Sequence, residues 1–142
     1  METKRVIEVL KDVPLFAKLD KQNLEVLSKI IVERKFDKDS VIVTQGESGI
    51  GFYIVESGKV EVYREKDGEK IKLNEIGGGE FFGEMALFDE LPRTATVVAI
   101  EPTNCYIITN WHFRGVIDSN PTVAAQMLEV IAKRFSRLNE QI

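Results

Sequence analysis

The chain has one histidine, His112, and one cysteine, Cys105, in 142 residues. A metal site inside a small β-barrel takes several histidines with a carboxylate, and one histidine cannot supply it. No Ser-His-Asp or Cys-His arrangement finds credible partners either. The expectation is therefore no catalytic residue, no metal and no enzymatic activity, with His112 structural. A single cysteine excludes an internal disulfide and fits a reducing compartment. Within its strand-like run, Cys105 reads as buried filler. No apolar run approaches the roughly 18–20 residues that span a bilayer. The first residues, METKRVIEVL, carry charge where a signal peptide keeps an apolar core. Positive charge is not in excess: 19 Lys and Arg against 23 Asp and Glu leave a net charge of −4. That argues against broad attraction to nucleic acid or to an anionic membrane. A cytoplasmic chain is expected. With 44% hydrophobic and 30% charged residues, one ordinary globular domain should cover residues 1–142.

Residues 1–33 read as a helical front. Val6, Ile7 and Leu10 fall at helical spacing, Pro14 interrupts, and Leu15-Phe16 form an apolar plug. Asp20 is a fitting N-cap for a second helix carrying Leu24, Leu27, Ile30 and Ile31. From Phe36 the character changes to short β-rich runs that end in glycine turns. Phe52–Val55 and Val60–Tyr63 flank Glu56-Ser57-Gly58-Lys59, a hairpin signal, and a second hairpin turns at Asp67-Gly68. Ile71 and Leu73 alternate with Lys70, Lys72 and Asn74, the pattern of a sheet with one wet face. Two further strands, Thr94–Ile100 and Cys105–Thr109, follow. Residues 34–109 thus read as a mainly β jelly-roll, a double-stranded β-helix with helices on both sides. Residues 110–142 return to helix. Asn110 looks like the cap of a short helix with Phe113, Val116 and Ile117, and Asn120-Pro121 opens a longer one. That last helix keeps Val123, Ala124, Met127, Leu128, Ile131, Phe135 and Leu138 on one stripe.

The chemistry concentrates between Glu80 and Ala99. Gly77-Gly78-Gly79 leads in, but no lysine and Ser/Thr pair follows, and the flanks are β rather than βαβ, so it is neither a Walker loop nor a dinucleotide fingerprint. Gly83-Glu84 starts a short helical segment, Met85-Ala86-Leu87, and Arg93 stands nine positions after Glu84. Glycine freedom, a helix start and one arginine make a receptor for a single small anion. Glu84 would repel that anion, yet as an acceptor-only group it suits a sugar hydroxyl. A ligand with both a phosphate and a ribose hydroxyl satisfies the two residues together.

The stretch Phe82-Gly83-Glu84-Met85-Ala86-Leu87, then four residues, then Pro92-Arg93-Thr94-Ala95-Thr96-Val97 resembles the phosphate-binding cassette of the cyclic nucleotide-binding domain family. Spacing and identities match without insertion over residues 82–97. The order of helices, β-roll and helices, with the Glu56-Ser57-Gly58 turn, extends the resemblance over nearly the whole chain. It implies a cyclic nucleotide, cAMP or cGMP, as ligand rather than as cofactor. Arg93 would pair with the cyclic phosphate through its planar fork. Backbone N–H groups around Gly83, Met85, Ala86 and Ala95 would complete the cradle. Glu84 would accept the ribose 2′-hydroxyl. Thr94 would lie beside the phosphate within reach of the purine, without settling which purine. The last helix would relay binding and cover the base.

Other readings stay open at this point. The Met127–Leu138 stripe suits a core, a homodimer seam or a lid. Trp111 reads as a core anchor rather than a base-stacking residue. Family members of the catabolite activator or Crp/Fnr type carry a DNA-binding module after the long helix. The chain stops at Ile142, where that module would begin, so a sensor portion that does not itself bind nucleic acid is one alternative. A degenerate domain that no longer binds nucleotide is the other.

Overall fold

Among the described residues four segments are α-helices and eight are strands, and their places follow mostly from apolar spacing. The computed structural model describes residues 2–89 and 91–140. Met1, Glu90 (inside the 82–97 stretch), Gln141 and Ile142 lie outside them. The described chain divides into two compact units: one made of the first 31 residues with those from Trp111 onward, the other of Val32–Asn110.

The helical unit contains α1 (Thr3–Lys11), a 3-10 turn (Pro14–Phe16), α2 (Lys21–Ser28), α3 (Asn110–Ser119) and α4 (Pro121–Glu140). Val6, Leu10, Leu15, Phe16, Leu24 and Leu27 are all buried, as their spacing predicts. Asp20 caps α2, its Oδ1 accepting the Asn23 N–H at 2.8 Å. Its carboxylate also accepts from Gln126 Nε2 of α4 at 2.9 Å. The buried Asn23 amide donates to Gln126 Oε1 (2.8 Å) and Thr122 Oγ1 (3.1 Å). A polar network therefore ties the start of α2 to the first turns of α4, and the Gln126 bond foremost holds the Asp20 carboxyl below its ordinary range.

The helical unit departs from expectation in two places. Trp111 is 55% exposed rather than a core anchor; Phe113, two residues on, takes the buried position. Asn120 does not cap α4 with its side chain, which instead donates back to the Val116 carbonyl at 3.3 Å and closes α3. The α4 stripe is buried only at its start. Val123 and Met127 are covered, while Leu128, Ile131, Phe135 and Leu138 are exposed.

The β unit holds β1 (Val32–Phe36), β2 (Val41–Val43), β3 (Gly51–Ser57), β4 (Lys59–Lys66), β5 (Glu69–Gly77), β6 (Phe81–Phe82), β7 (Thr96–Ala99) and β8 (Thr103–Thr109). They form two four-stranded sheets, ordered β1-β8-β3-β6 and β2-β7-β4-β5. Antiparallel pairing joins β1 to β8, β2 to β7, β3 to β6 and β4 to β5. This is a long antiparallel ribbon folded over itself, which makes the expected jelly-roll β-roll. Tyr53, Val55, Val60, Ile76, Val97, Cys105 and Ile107, drawn from both sheets, form its buried centre. Burial pushes the Cys105 thiol up to about 12, as the filler reading requires.

β1 begins at Val32, inside the stretch expected to be helical. Its sequence, VERKF, is exposed over four of five positions and carries no β-rich run, so pairing with β8 rather than local preference makes it a strand. The Glu56–Lys59 hairpin is also absent, although the strands on either side are present. β3 and β4 lie in different sheets, so this turn is a corner from one to the other. Gly58 makes the corner possible. It sits at φ +97°, and a Cβ there would lie 2.5 Å from the Pro102 carbonyl oxygen and 2.6 Å from Thr103 Cα. The Asp67-Gly68 hairpin does form, with both residues at positive φ (54° and 80°), as a two-residue turn between twisted strands needs.

β5 carries the remaining difference. Its register with β4 runs Val62↔Asn74 and then Tyr63↔Lys72, leaving Leu73 as an extra, bulged residue. One inserted residue moves every later side chain to the opposite face. Leu73 is accordingly 47% exposed, and Asn74, expected on the wet face with Lys70 and Lys72, stands instead opposite Val62 while remaining exposed. Ile71, before the bulge and opposite Arg64, is 44% exposed. Gly58→Ala should destabilise the fold by about 2 kcal/mol or more, through positive-φ strain and overlap with backbone. Urea unfolding followed by circular dichroism would measure it; an unchanged midpoint would contradict the corner's tightness.

Candidate ligand-binding site

Arg93 is held from both sides by backbone. Its N–H donates to the Glu47 carbonyl (2.7 Å) and its carbonyl accepts the Gly46 N–H (2.9 Å). Gly49 N–H reaches the Leu91 carbonyl at 3.3 Å, and Ser48 bridges to Pro92. The segment before β7 thus runs antiparallel to the β2–β3 connection, fixing where the Arg93 side chain departs. Two glycines make room for it. A Cβ on Gly49 would lie 3.1 Å from Arg93 Nε, and one on Gly83 would overlap Arg93 Nη1. Gly83 also sits at φ +79°, so conformation and space both call for glycine.

The guanidinium is half-buried. Nη2 donates to the Gly51 carbonyl, while Nε is buried and makes no hydrogen bond. Among the described residues no carboxylate pairs with it. Burial lowers its pKa below the ordinary arginine value, opposed by the Tyr53 phenol, whose ring centroid lies 5.9 Å from Arg93 Cζ. Tyr53 in turn stacks flat on Phe82, with centroids 4.9 Å apart and planes 6° off parallel. Burial raises the Tyr53 phenol above its usual range, with Arg93 and Arg34 opposing, so it stays neutral. The site holds a partly desolvated cation over an aromatic pair, with hydrogen-bonding capacity left over. Such a group favours an anion strongly, because an anion supplies both charge and acceptors.

The cavity beside Arg93 has a volume of about 560 Å³, the size of a site for a small organic ligand. Gly83, Glu84, Met85, Ala86, Arg93, Thr94 and Ala95 all line it. The structure therefore brings together every residue singled out from the sequence. Glu84–Leu87 is a 3-10 turn with left-handed Gly83 before it. Within that turn the Ala86 N–H already donates to the Gly83 carbonyl at 3.0 Å, so this member of the expected cradle is engaged by its own helix. Ala86 and Leu87 are buried and Met85 is 67% exposed.

Sequence reasoning passed over several residues. Gly49 shapes the arginine's slot, and only its place opposite Leu91–Arg93 shows this. Arg64 on β4 donates from Nε to the Thr94 carbonyl at 3.1 Å, holding the strand entry next to the cavity. Asp89 Oδ1 accepts the Leu91 N–H at 3.2 Å and braces the loop before Pro92. Val43, Val62, Asn74 and Ile76 also line the wall and belong to no motif, beside Phe82 and Val97 from the two ends of the 82–97 stretch.

The profile of the family described as the cyclic nucleotide-binding domain matches residues 33–120. The chain belongs to that family. Members resemble it in sequence and in structure. The chain is 42% identical over 103 residues to a cAMP-dependent protein kinase regulatory subunit of Yarrowia lipolytica, covering 72% of this chain and 26% of that protein. It is 32% identical over 127 residues to the cyclic AMP receptor protein of Thermus thermophilus, covering 89% and 59%. The crystal structure of the N-terminal domain of a Streptomyces coelicolor transcriptional regulator superposes with a TM-score of 0.87 at 30% identity, covering 94% of both chains. The chain thus spans between about a quarter and three-fifths of the length of these two curated relatives. Among the described residues no helix is long and apolar enough to cross a membrane, and no group of acidic, histidine or cysteine side chains is arranged to hold a metal ion.

Gly83→Ala should push Arg93 from its slot and strain the positive-φ position, for a loss of roughly 1–3 kcal/mol in stability. Urea unfolding would read this, and a midpoint within error of the parent would contradict the packing of Gly83 on the guanidinium.

Proposed function

We propose that the chain is a sensing module that binds cAMP or cGMP in the β-roll cavity and relays binding through its C-terminal helix. The observation that carries this reading is the half-buried Arg93, unpaired by any carboxylate among the described residues, in a cavity shared with Glu84 and Thr94. Arg93 receives the cyclic phosphate as a charge-assisted, forked contact. Met85, Ala95 and Gly83 line the same end with backbone, and Glu84 takes the ribose 2′-hydroxyl. Thr94 stands between phosphate and purine. The nucleotide is a ligand rather than a cofactor, and the module is regulatory rather than catalytic. A cytoplasmic location without membrane attachment fits its sequence. The names of its relatives, a cAMP-dependent kinase regulatory subunit and a cyclic AMP receptor, support cAMP first.

Arg93→Ala should leave the fold intact and weaken nucleotide binding by about 2–5 kcal/mol, because the phosphate then lies in the cavity without its partner charge. Calorimetry with cAMP and cGMP in parallel would measure the loss. Equal affinities for parent and variant would refute the assignment.

A second reading concerns what the signal reaches. The similarity to the N-terminal domain of a transcriptional regulator supports a sensor portion of a Crp/Fnr-type regulator, with no nucleic acid bound by this chain alone. On that reading Leu128, Ile131, Phe135 and Leu138 of α4, exposed at spacings of three and four, form the seam of a homodimer. Sedimentation should then give a dimer that Ile131→Glu with Phe135→Glu converts to monomer. A parent that sediments as monomer at every concentration, with and without cAMP, would end this reading.

A further inference from the structure

Where β4 runs past β7, a side chain stands in for the missing strand. The ladder between the two ends at Tyr63↔Thr96, yet β4 continues to Lys66. Two residues beyond that last pair, Glu65 finds its partner in Gln45 of the β2–β3 connection. Gln45 Oε1 accepts the Glu65 N–H at 2.8 Å, and Gln45 Nε2 donates to the Glu65 carbonyl at 3.1 Å. These are the two bonds that a residue on an antiparallel neighbour would exchange. The backbone dictates how the amide faces, since its N–H can only donate and its carbonyl can only accept.

Gln45 is fixed at its other end as well. Its own N–H donates to Oγ1 of the buried Thr96 on β7 at 3.0 Å. The next two residues are the ones that grip Arg93. Gly46 donates to the Arg93 carbonyl at 2.9 Å, and Glu47 accepts from the Arg93 N–H at 2.7 Å. On the far flank, Arg64 Nε holds the Thr94 carbonyl at 3.1 Å. Arg93 is thus gripped between neighbours whose side-chain anchors both end at Arg64-Glu65. β4 lies between β5 and β7, which makes it the firm reference for this corner of the roll.

Gln45 does not line the cavity of about 560 Å³. It borders a separate depression, with Val41, Thr44, Tyr63, Glu65 and Thr96. Any effect it has on a ligand in the main cavity therefore passes through Arg93. Its two bonds to Glu65 are exposed, and such bonds add little to stability because water competes for both partners. Their effect is to restrict the loop. A guanidinium that must meet an anion as a fork tolerates misplacement of only about 0.5 Å.

We propose that Gln45 is a positioning residue of this site. Its two-bond clasp on Glu65 sets the β2–β3 connection, and through it the point from which Arg93 reaches the phosphate. This rests on the nucleotide reading above and adds a residue outside the cavity on which affinity depends.

Calorimetry with cAMP on the parent, Gln45→Met and Gln45→Glu tests it. Methionine matches glutamine in length and removes both bonds. Glutamate keeps the shape but is acceptor-only, so it loses the bond to the Glu65 carbonyl and turns a charge toward it. Both variants should melt close to the parent and bind cAMP about five- to twentyfold more weakly, the cost of a misplaced contact. Arg93→Lys separates positioning from general loosening, because lysine carries the charge without the fork. In that background Gln45→Met should cost less than about twofold, since the two changes act on one contact. A second readout needs no nucleotide: the Arg93 Nε–Hε resonance, assigned by its loss in Arg93→Lys, should shift in both Gln45 variants. Equal losses in the two backgrounds, unchanged affinities or an unmoved resonance would each overturn the role of Gln45 while leaving nucleotide binding intact. Variants that no longer fold would overturn it too, because the clasp would then hold the fold rather than the arginine. A parent that binds neither cAMP nor cGMP overturns the nucleotide reading and this inference with it.

Discussion

A partly desolvated guanidinium is the constraint on which the rest of the site depends. Taking Arg93 away from water is costly, and the single hydrogen bond to Gly51 offsets only part of that cost. The surrounding chain is arranged to tolerate this. Gly49 and Gly83 give up their side chains to it, and Gly83 takes a left-handed conformation as well. Tyr53 and Phe82 supply a flat surface under it. The antiparallel pairing of Leu91–Arg93 with the β2–β3 connection fixes its origin. The cavity is thus polarised before any ligand arrives, with one strongly anion-seeking end and an apolar floor.

The roll keeps that polarity in place because each sheet contributes to the cavity. β6 brings Phe82 from one sheet, while Val43, Val62, Asn74 and Val97 come from the other. The cassette runs from β6 into β7 and so passes from one sheet to the other. Its glycine, its 3-10 turn and its arginine are consequences of that passage as well as lining of the cavity. Arg64, holding the Thr94 carbonyl, secures the far end of the same passage.

Legibility in the sequence followed the type of determinant. Gly83, Glu84, Arg93 and Thr94 were legible because their chemistry and spacing are set by a local run of chain. Asp20 was legible as a cap for the same reason. The Glu56–Lys59 turn was legible as a turn but not as a corner, since both need glycine and flanking β-rich runs; the difference lies in Pro102 and Thr103, more than 40 residues away. VERKF became β1 only through β8, which no local pattern announces. The bulge at Leu73 carried no signal, and it reversed the faces read for Leu73 and Asn74. On α4 the stripe was visible, but an apolar stripe does not say what covers it, and beyond Met127 it is exposed. Contacts distant in sequence account for most of these differences.

The nested pairing has a consequence in time. β1 pairs with β8 and β2 with β7, so two of the edge strands are held by the partners most distant from them in sequence. Such contacts close the longest loops and reward the chain last. The β4–β5 hairpin, closed by Asp67-Gly68, is the local part and can form early. On a ribosome, Arg93 would emerge well after its glycine partner Gly49, and β2 would wait for β7 to follow. The cavity is therefore among the last parts of the domain to exist, and a chain interrupted before Ala99 has a hairpin but no second wall to enclose it.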